Sequence, residues 1–111
     1  MIRNSLGGTS MVVVVFRIHV NPESNPEELG TVFQKMVALF GGMPGCISVK
    51  DYSSQDGEML VLAEFDSLDA VDAWKAHPEH VLAQQRGQEF FADYRIQVCN
   101  VVRTNESAKT R

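Results

Sequence analysis

The side chains best suited to chemistry are concentrated in one segment, residues 74–94. It contains Trp74, the only tryptophan of the chain, and two of the three histidines, His77 and His80. Pro78 follows His77 directly, and this pair predicts the end of one helix and the start of another. A helix break beside polar aromatic residues often lines a pocket between helix and sheet, so we expect a small-molecule site here.

Each of these three residues has two interpretations. Trp74 lies three residues after Val71 on the core side of a predicted helix, so it is either a core indole or a pocket wall whose N–H donates to a substrate oxygen. His77 is either a capping residue or part of the pocket. His80 is either a half-exposed imidazole or an acid–base group of the site.

Three further residues complete the candidate site. Arg86 is either a surface charge or an anion clamp at the pocket mouth. Phe91 ends the apolar stripe of the second helix of this segment and is a candidate substrate contact. Tyr94 opens the last predicted strand, either as a strand-end aromatic or as a phenol that faces the cleft.

Other kinds of site have little support in the sequence. His77 and His80 could share a helix face, but Glu79 would point elsewhere and no third ligand is evident, so we predict no metal. The chain shows no Ser-His-Asp arrangement, no P-loop and no Rossmann glycine pattern, and hydride or phosphoryl transfer is therefore unsupported.

Length and composition indicate one small globular domain. The chain has 111 residues, 44% of them hydrophobic, and a formal charge of −4 with scattered basic residues. This balance argues against nucleic-acid binding. The apolar run Met11 to Phe16 is too short to span a bilayer and lacks a signal-peptide cleavage site, so we predict a cytoplasmic protein with no membrane contact.

The elements that position the candidate site follow a β-α-β-β-α-β order, with the second α region split at Pro78. We predict a ferredoxin-like α+β domain over residues 11–103, a loose leader over 1–10 and a loose tail over 104–111. Right-handed crossovers would make the first and third of its strands central in an antiparallel sheet. The predicted strands are Met11–Val20, Cys46–Tyr52, Glu58–Phe65 and Tyr94–Arg103, and the first helix begins at Pro26 after an Asn25 cap.

Both faces of the predicted sheet are apolar. In the first strand Val12 and Val14 point to one side, whereas Val13 and Val15 point to the other. The helices can cover only one side, and exposed apolar patches of this size are uncommon in monomers. We therefore predict a homodimer in which a second copy covers the other face, rather than a monomer with an exposed sheet.

Several segments together resemble the antibiotic biosynthesis monooxygenase superfamily over about Met11 to Arg103. They are Pro44-Gly45, Asp56-Gly57-Glu58, Phe65-Asp66-Ser67, the Trp-x-x-His-Pro-x-His segment from Trp74 to His80, and Tyr94-Arg95-Ile96. The resemblance implies a dimeric α+β barrel. It also implies a monooxygenase that oxidises a small aromatic or quinone-like compound with O₂ and no cofactor. Trp74, His80 and Tyr94 would be its catalytic residues, and His77, Arg86 and Phe91 its substrate contacts.

Two alternatives stay open. One branch of the same superfamily binds and degrades haem, but the position of its ligand histidine is occupied here by Gln84, so haem would require His80 as a substitute ligand. The other alternative is a small-molecule binding protein without turnover, since a fold alone does not fix an activity.

Overall fold

The computed structural model describes residues 2–5, 11–78, 85 and 89–108. Its elements, in chain order, are β1 (Ile2–Ser5), β2 (Val12–Val20), α1 (Pro26–Gly42), β3 (Cys46–Ser53), β4 (Met59–Phe65), α2 (Leu68–Ala76), β5 (Phe91–Asn100) and β6 (Thr104–Ser107). The main sheet has the order β3-β4-β2-β5, with antiparallel pairing throughout. This confirms the predicted ferredoxin-like α+β fold, with the first and third predicted strands (β2 and β4) at the centre.

α1 begins after the predicted Asn25 cap, and α2 ends at the predicted break between His77 and Pro78. The Asn25 side chain accepts from the backbone N–H groups of Glu27 and Glu28, and Pro26 occupies the first turn of α1. Ser67 caps α2 by accepting from the backbone N–H of Ala70. These caps satisfy N–H groups that have no partner within the helix, which fixes where each helix starts.

The core lies between α1, α2 and one face of the sheet, which we call the inner face. Alternate residues of β2 are buried on it, as the two-residue period of a strand requires. The core cluster consists of Val12, Val14, Phe16 and Ile18 of β2, Val61, Ala63 and Phe65 of β4, Met36 and Phe40 of α1, and Val71 and Trp74 of α2. Phe90, just before β5, is also buried.

The opposite, outer face of the sheet is not covered by any described element. Its centre consists of Val13, Val15, Leu60 and Leu62, all half-buried by their neighbours in the sheet and none of them part of the core. The sequence predicts that a second copy of the chain covers this face. The structure contains one copy, so the homodimer stays a prediction.

The last strand of the sheet is displaced from its predicted position. We expected Tyr94–Arg103, whereas β5 is Phe91–Asn100. Phe91 was therefore wrongly placed in a helix. Its backbone pairs with Val20 across a register shift in β2, and the N–H of Asn21 donates to the carbonyl of Phe90 at 2.6 Å, so the ladder reaches further than the side-chain pattern indicates.

The two chain ends also differ from their predicted loose state. β1 lies within 1–10, β6 lies within 104–111, and the two pair antiparallel. The N–H of Val101 donates to the carbonyl of Met11 at 2.9 Å, which extends the β2–β5 pairing by one residue beyond Val12 and Asn100. Among the described residues, no helix has both the length and the apolar character needed to cross a membrane.

Candidate active site

Three aromatic side chains, Phe16, Phe91 and Tyr94, form a cluster on the inner face beside β5; we call it the β5 aromatic cluster. The ring of Phe16 is 6.0 Å from that of Phe91 at an interplanar angle of 83°, and 5.8 Å from that of Tyr94. The Phe91 and Tyr94 rings are 6.4 Å apart. These separations lie in the range of favourable edge-to-face contacts.

A register shift between β2 and β5, in which Ala92 is an extra residue of β5, brings the two β5 members of this cluster together. Phe91 and Tyr94 are three residues apart, and in a regular strand such residues point to opposite faces. The pairing shifts between His19 and Val20, where Val20 pairs with Phe91. The bulge re-aims the start of β5, so both rings reach Phe16.

The cluster is buried at one end and open at the other. The Phe16 side chain is 4% exposed, Phe91 is half-buried, and Tyr94 is 50% exposed. Val98, 42% exposed, and the half-buried Ile96 continue the apolar surface along the same face of β5. This arrangement can stack an aromatic ring against apolar side chains while the Tyr94 hydroxyl donates to an oxygen of the same ligand.

Trp74 lies in the core rather than at an open surface. Its side chain is 0% exposed, and its ring stacks on Phe40 with 4.3 Å between centroids at 20°. Phe65 completes this packing at 6.4 Å. Of the two interpretations of Trp74, the geometry supports the core indole, and it gives no support to the predicted catalytic contact with a substrate.

The other candidate residues of the segment divide into two groups. His77 is half-buried and is the C-cap of α2, with its backbone N–H donating to the carbonyl of Trp74 at 3.1 Å. It therefore ends the helix as predicted, directly before Pro78. His80 and Arg86 lie outside the described residues, as does Gln84, and their roles stay predictions.

A second group of polar side chains lies on the outer face, away from the aromatic cluster. His19 Nδ1 is 2.7 Å from Asp93 Oδ1, and this hydrogen bond raises the pKa of His19 above its ordinary value. Arg17 donates to both carboxylate oxygens of Glu58, at 3.1 Å each. These are ion pairs within the sheet.

Among residues 11–78 and 89–108, no three histidine, cysteine or carboxylate side chains form a group that could hold a metal ion.

Phe16 is the member of the cluster that sequence reasoning did not single out. The alternation of β2 correctly places it on the buried face, but its contact with Phe91 and Tyr94 depends on the pairing of β2 with β5. Nothing local in the sequence carries that information. Phe91, predicted as a substrate contact, lies beside Tyr94 in β5 rather than in a helix, and its role stays a prediction.

A family model described as antibiotic biosynthesis monooxygenase matches residues 11–86 of the chain. Among curated proteins, the chain is similar to the uncharacterized protein YqjZ of Bacillus subtilis. The two are 30% identical over 80 residues, which is 71% of this chain and 70% of YqjZ.

Two solved structures illustrate the likeness in fold. SnoaB of Streptomyces nogalater, described as a cofactor-independent oxygenase, has a TM-score of 0.72 at 19% identity, covering 82% of this chain and 92% of SnoaB. A dimeric ferredoxin-like protein of Thermobifida fusca has a TM-score of 0.69 at 17% identity, covering 87% of this chain and 95% of that one.

Proposed function

The chain belongs to the antibiotic biosynthesis monooxygenase family, and from that membership we propose that it is a cofactor-independent oxygenase that converts a small phenol to a quinone with O₂. The observation that carries the proposal is the half-exposed Tyr94 phenol at the open end of the β5 aromatic cluster. The fold shared with SnoaB, described as an oxygenase of this kind, supports the same reaction class.

The reaction needs little from the protein beyond binding and proton removal. A base takes the phenol proton, and the phenolate passes one electron to O₂. The resulting superoxide and phenoxyl radical combine through a new C–O bond at a ring carbon that carries hydrogen. The peroxide anion so formed takes the proton back from the base and becomes a hydroperoxide. Loss of water from this hydroperoxide leaves the quinone, so one phenol and one O₂ give one quinone and one H₂O. A dry apolar site favours the first electron transfer, because it removes the hydration that stabilises the phenolate.

The described residues supply the binding part of this reaction. Phe91, which packs against the buried Phe16, offers an apolar surface on which a substrate ring can stack. The Tyr94 hydroxyl donates to the phenolate oxygen and orients the ring. In this proposal His80 is the base, His77 and Arg86 are substrate contacts, and no cofactor takes part.

Oxygen consumption in the presence of a panel of mono- and polycyclic phenols tests the proposal. Tyr94→Phe removes only the hydroxyl, and we expect a fall in kcat/KM of at least about tenfold, the effect of losing one hydrogen bond to a charged group. The matched control is Tyr52→Phe, because Tyr52 is the only other tyrosine and is 49% exposed on the outer face. Equal oxygen uptake by the Tyr94 and Tyr52 variants would show that the cluster is not the site.

We also propose that the protein is a homodimer whose copies meet through the outer faces of their sheets. The half-buried Val13, Val15, Leu60 and Leu62 support this, because no described element covers them. The dimeric state of the Thermobifida protein of the same fold agrees with it. Light scattering at micromolar concentration should give twice the 12.3 kDa mass of the chain; a mass of 12.3 kDa would contradict the dimer.

A further inference from the structure

The outer face carries a basic side chain that has no acidic partner among the described residues. Arg95 of β5 is exposed and lies directly opposite Arg17 of β2. Like charges at directly opposed positions of a sheet repel each other. Arg17 is neutralised from its other side by both oxygens of Glu58, whereas no carboxylate in the described part of the chain pairs with Arg95.

The same face carries an acidic side chain in the complementary situation. Glu64 of β4 lies opposite Val13 on one side and next to Ser48 on the other. The Ser48 hydroxyl donates to one of its carboxylate oxygens at 3.1 Å. Within residues 11–78 and 89–108, no basic group forms an ion pair with Glu64, although its side chain is half-buried and therefore incompletely hydrated.

The positions of Arg95 and Glu64 are symmetric about the centre of the apolar surface. Glu64 is level with Val13 and Arg95 is level with Arg17, on the two strands that flank β2. With strands about 4.8 Å apart and a rise of about 3.4 Å per residue, the two positions are about 17 Å apart. The midpoint falls on Val15, which lies between the half-buried Leu60 and Leu62 and the β5 strand.

We infer that the outer face is self-complementary: in the homodimer, Arg95 of each copy pairs with Glu64 of the partner subunit, on either side of a two-fold axis that passes over Val15. A two-fold interface repeats every contact, so a single kind of pair gives two ion pairs flanking one apolar centre. The inference rests on the proposed homodimer and deepens it by fixing how the two sheets are aligned. Charge complementarity thereby supplies the alignment that apolar contacts alone leave open.

Charge reversal at either position tests this alignment. Arg95→Glu places carboxylates at both positions of the pair, and Glu64→Arg places guanidinium groups at both. Each variant alone should raise the dimer Kd at least about tenfold in sedimentation equilibrium, because like charges meet twice. Two exposed residues of α2 provide matched controls for net charge, Lys75→Glu and Asp72→Arg, and both should leave the Kd unchanged.

Mixing the two reversed variants is the decisive experiment. In the mixed dimer both pairs again join opposite charges, so native mass spectrometry should show a mixed-dimer fraction well above the statistical half expected for random pairing. A mixed fraction at or below one half overturns the pairing, and so does an unchanged Kd for either single variant. Should Glu64→Arg fail to fold by circular dichroism, Glu64→Gln keeps the bond to Ser48, and it must also raise the Kd.

The tests of the Arg95–Glu64 pairing and of the proposed oxygenase activity can be told apart by their results. A wild-type chain that is monomeric at micromolar concentration overturns both the dimer and the Arg95–Glu64 pairing, whatever the oxygen uptake shows. Oxygen uptake that depends on Tyr94, together with a mixed fraction at or below one half, would overturn the pairing and leave the oxygenase in place. A mixed fraction well above one half, with no oxygen uptake on any phenol, would support the pairing and count against the oxygenase.

Discussion

Substitution of Gly45 by alanine should destabilise the fold for two separable reasons. Gly45 lies in the turn between α1 and β3 at φ +87°, a conformation that costs an L-residue about 1–2 kcal/mol. A Cβ there would also lie 2.7 Å from the Cβ of Ala70 and 2.7 Å from Oδ1 of Asp66. The Asp66 side chain can rotate away, but Ala70 belongs to α2 and cannot move without the helix.

The size of the effect follows from these two contributions. Overpacking of this kind costs about 1–3 kcal/mol, so the total for Gly45→Ala is about 2–5 kcal/mol. Total stabilities of domains are about 5–15 kcal/mol, and the change is therefore a large fraction of the whole. The carbonyl of Gly45 also accepts from the backbone N–H of Asp66 at 2.8 Å, so displacement of this turn would disturb the start of α2.

Gly57 provides the matched control. It has φ +92°, but a Cβ there would meet no atom within 4 Å. Gly57→Ala should therefore cost only the conformational part, about 1–2 kcal/mol. Urea unfolding with an unchanged m-value measures both variants, and the loss of unfolded-chain entropy is common to the two and cancels in the comparison. If Gly45→Ala costs no more than Gly57→Ala, the close packing of this turn against α2 is refuted.

Three other substitutions test the core, the electrostatics and a cap. Trp74→Ala should destabilise the protein by about 3–5 kcal/mol in urea unfolding, because it removes a fully buried ring; a cost below about 1 kcal/mol would contradict its core position. Asp93→Asn should lower the pKa of His19 toward its ordinary value in an NMR titration, since the Asp93 hydrogen bond is the largest cause of the upward shift. A raised pKa means that the pair stabilises the fold below the unfolded pKa of histidine and stops doing so as the pH rises through the raised pKa. The substitution should therefore lower the Tm more at about pH 5.5 than at about pH 8, and an equal loss at both would contradict this assignment. Asn25→Ala should cost about 1 kcal/mol in thermal unfolding, and Asn25→Gly only a few tenths; equal costs would show that the side chain is not the cap.

The sequence was sufficient for the elements whose signals are local. The alternation of β2, the Asn25 cap of α1 and the His77-Pro78 end of α2 are signals that act within a few residues. Each predicted boundary there agrees with the structure within about a residue, inside the usual scatter of helix and strand ends. The turn between β3 and β4 is local in the same sense: Asp56-Gly57 is a typical hairpin dipeptide, and Gly57 has a positive φ.

What the sequence could not supply depends on pairing between distant segments. β5 begins three residues early because Phe91 pairs with Val20, seventy-one residues away along the chain (91 − 20), at a bulge that no local pattern marks. β1 and β6 are joined by backbone pairing. Their mostly polar residues show no hydrophobic alternation from which these strands could be predicted. The helical spacing correctly predicts that Trp74 lies on the core side of α2. It cannot show that the ring is fully buried, because that depends on its stacking against Phe40 of α1.

The register of β5 connects the proposed site with the proposed interface. Tyr94 and Arg95 are adjacent, and the two-residue period of a strand directs Tyr94 to the aromatic cluster on the inner face and Arg95 to the outer face. A slip of one residue would exchange them, removing the phenol from the cluster and burying a guanidinium beside Phe16. The His19–Asp93 bond lies one residue from Tyr94 and two from Arg95, and the bulge at Ala92 directly precedes Asp93. We expect these two features to hold β5 in the register that serves both faces. A change that loosens this end of the ladder should therefore weaken substrate oxidation and dimerisation together, whereas Tyr94→Phe and Arg95→Glu should each affect only one.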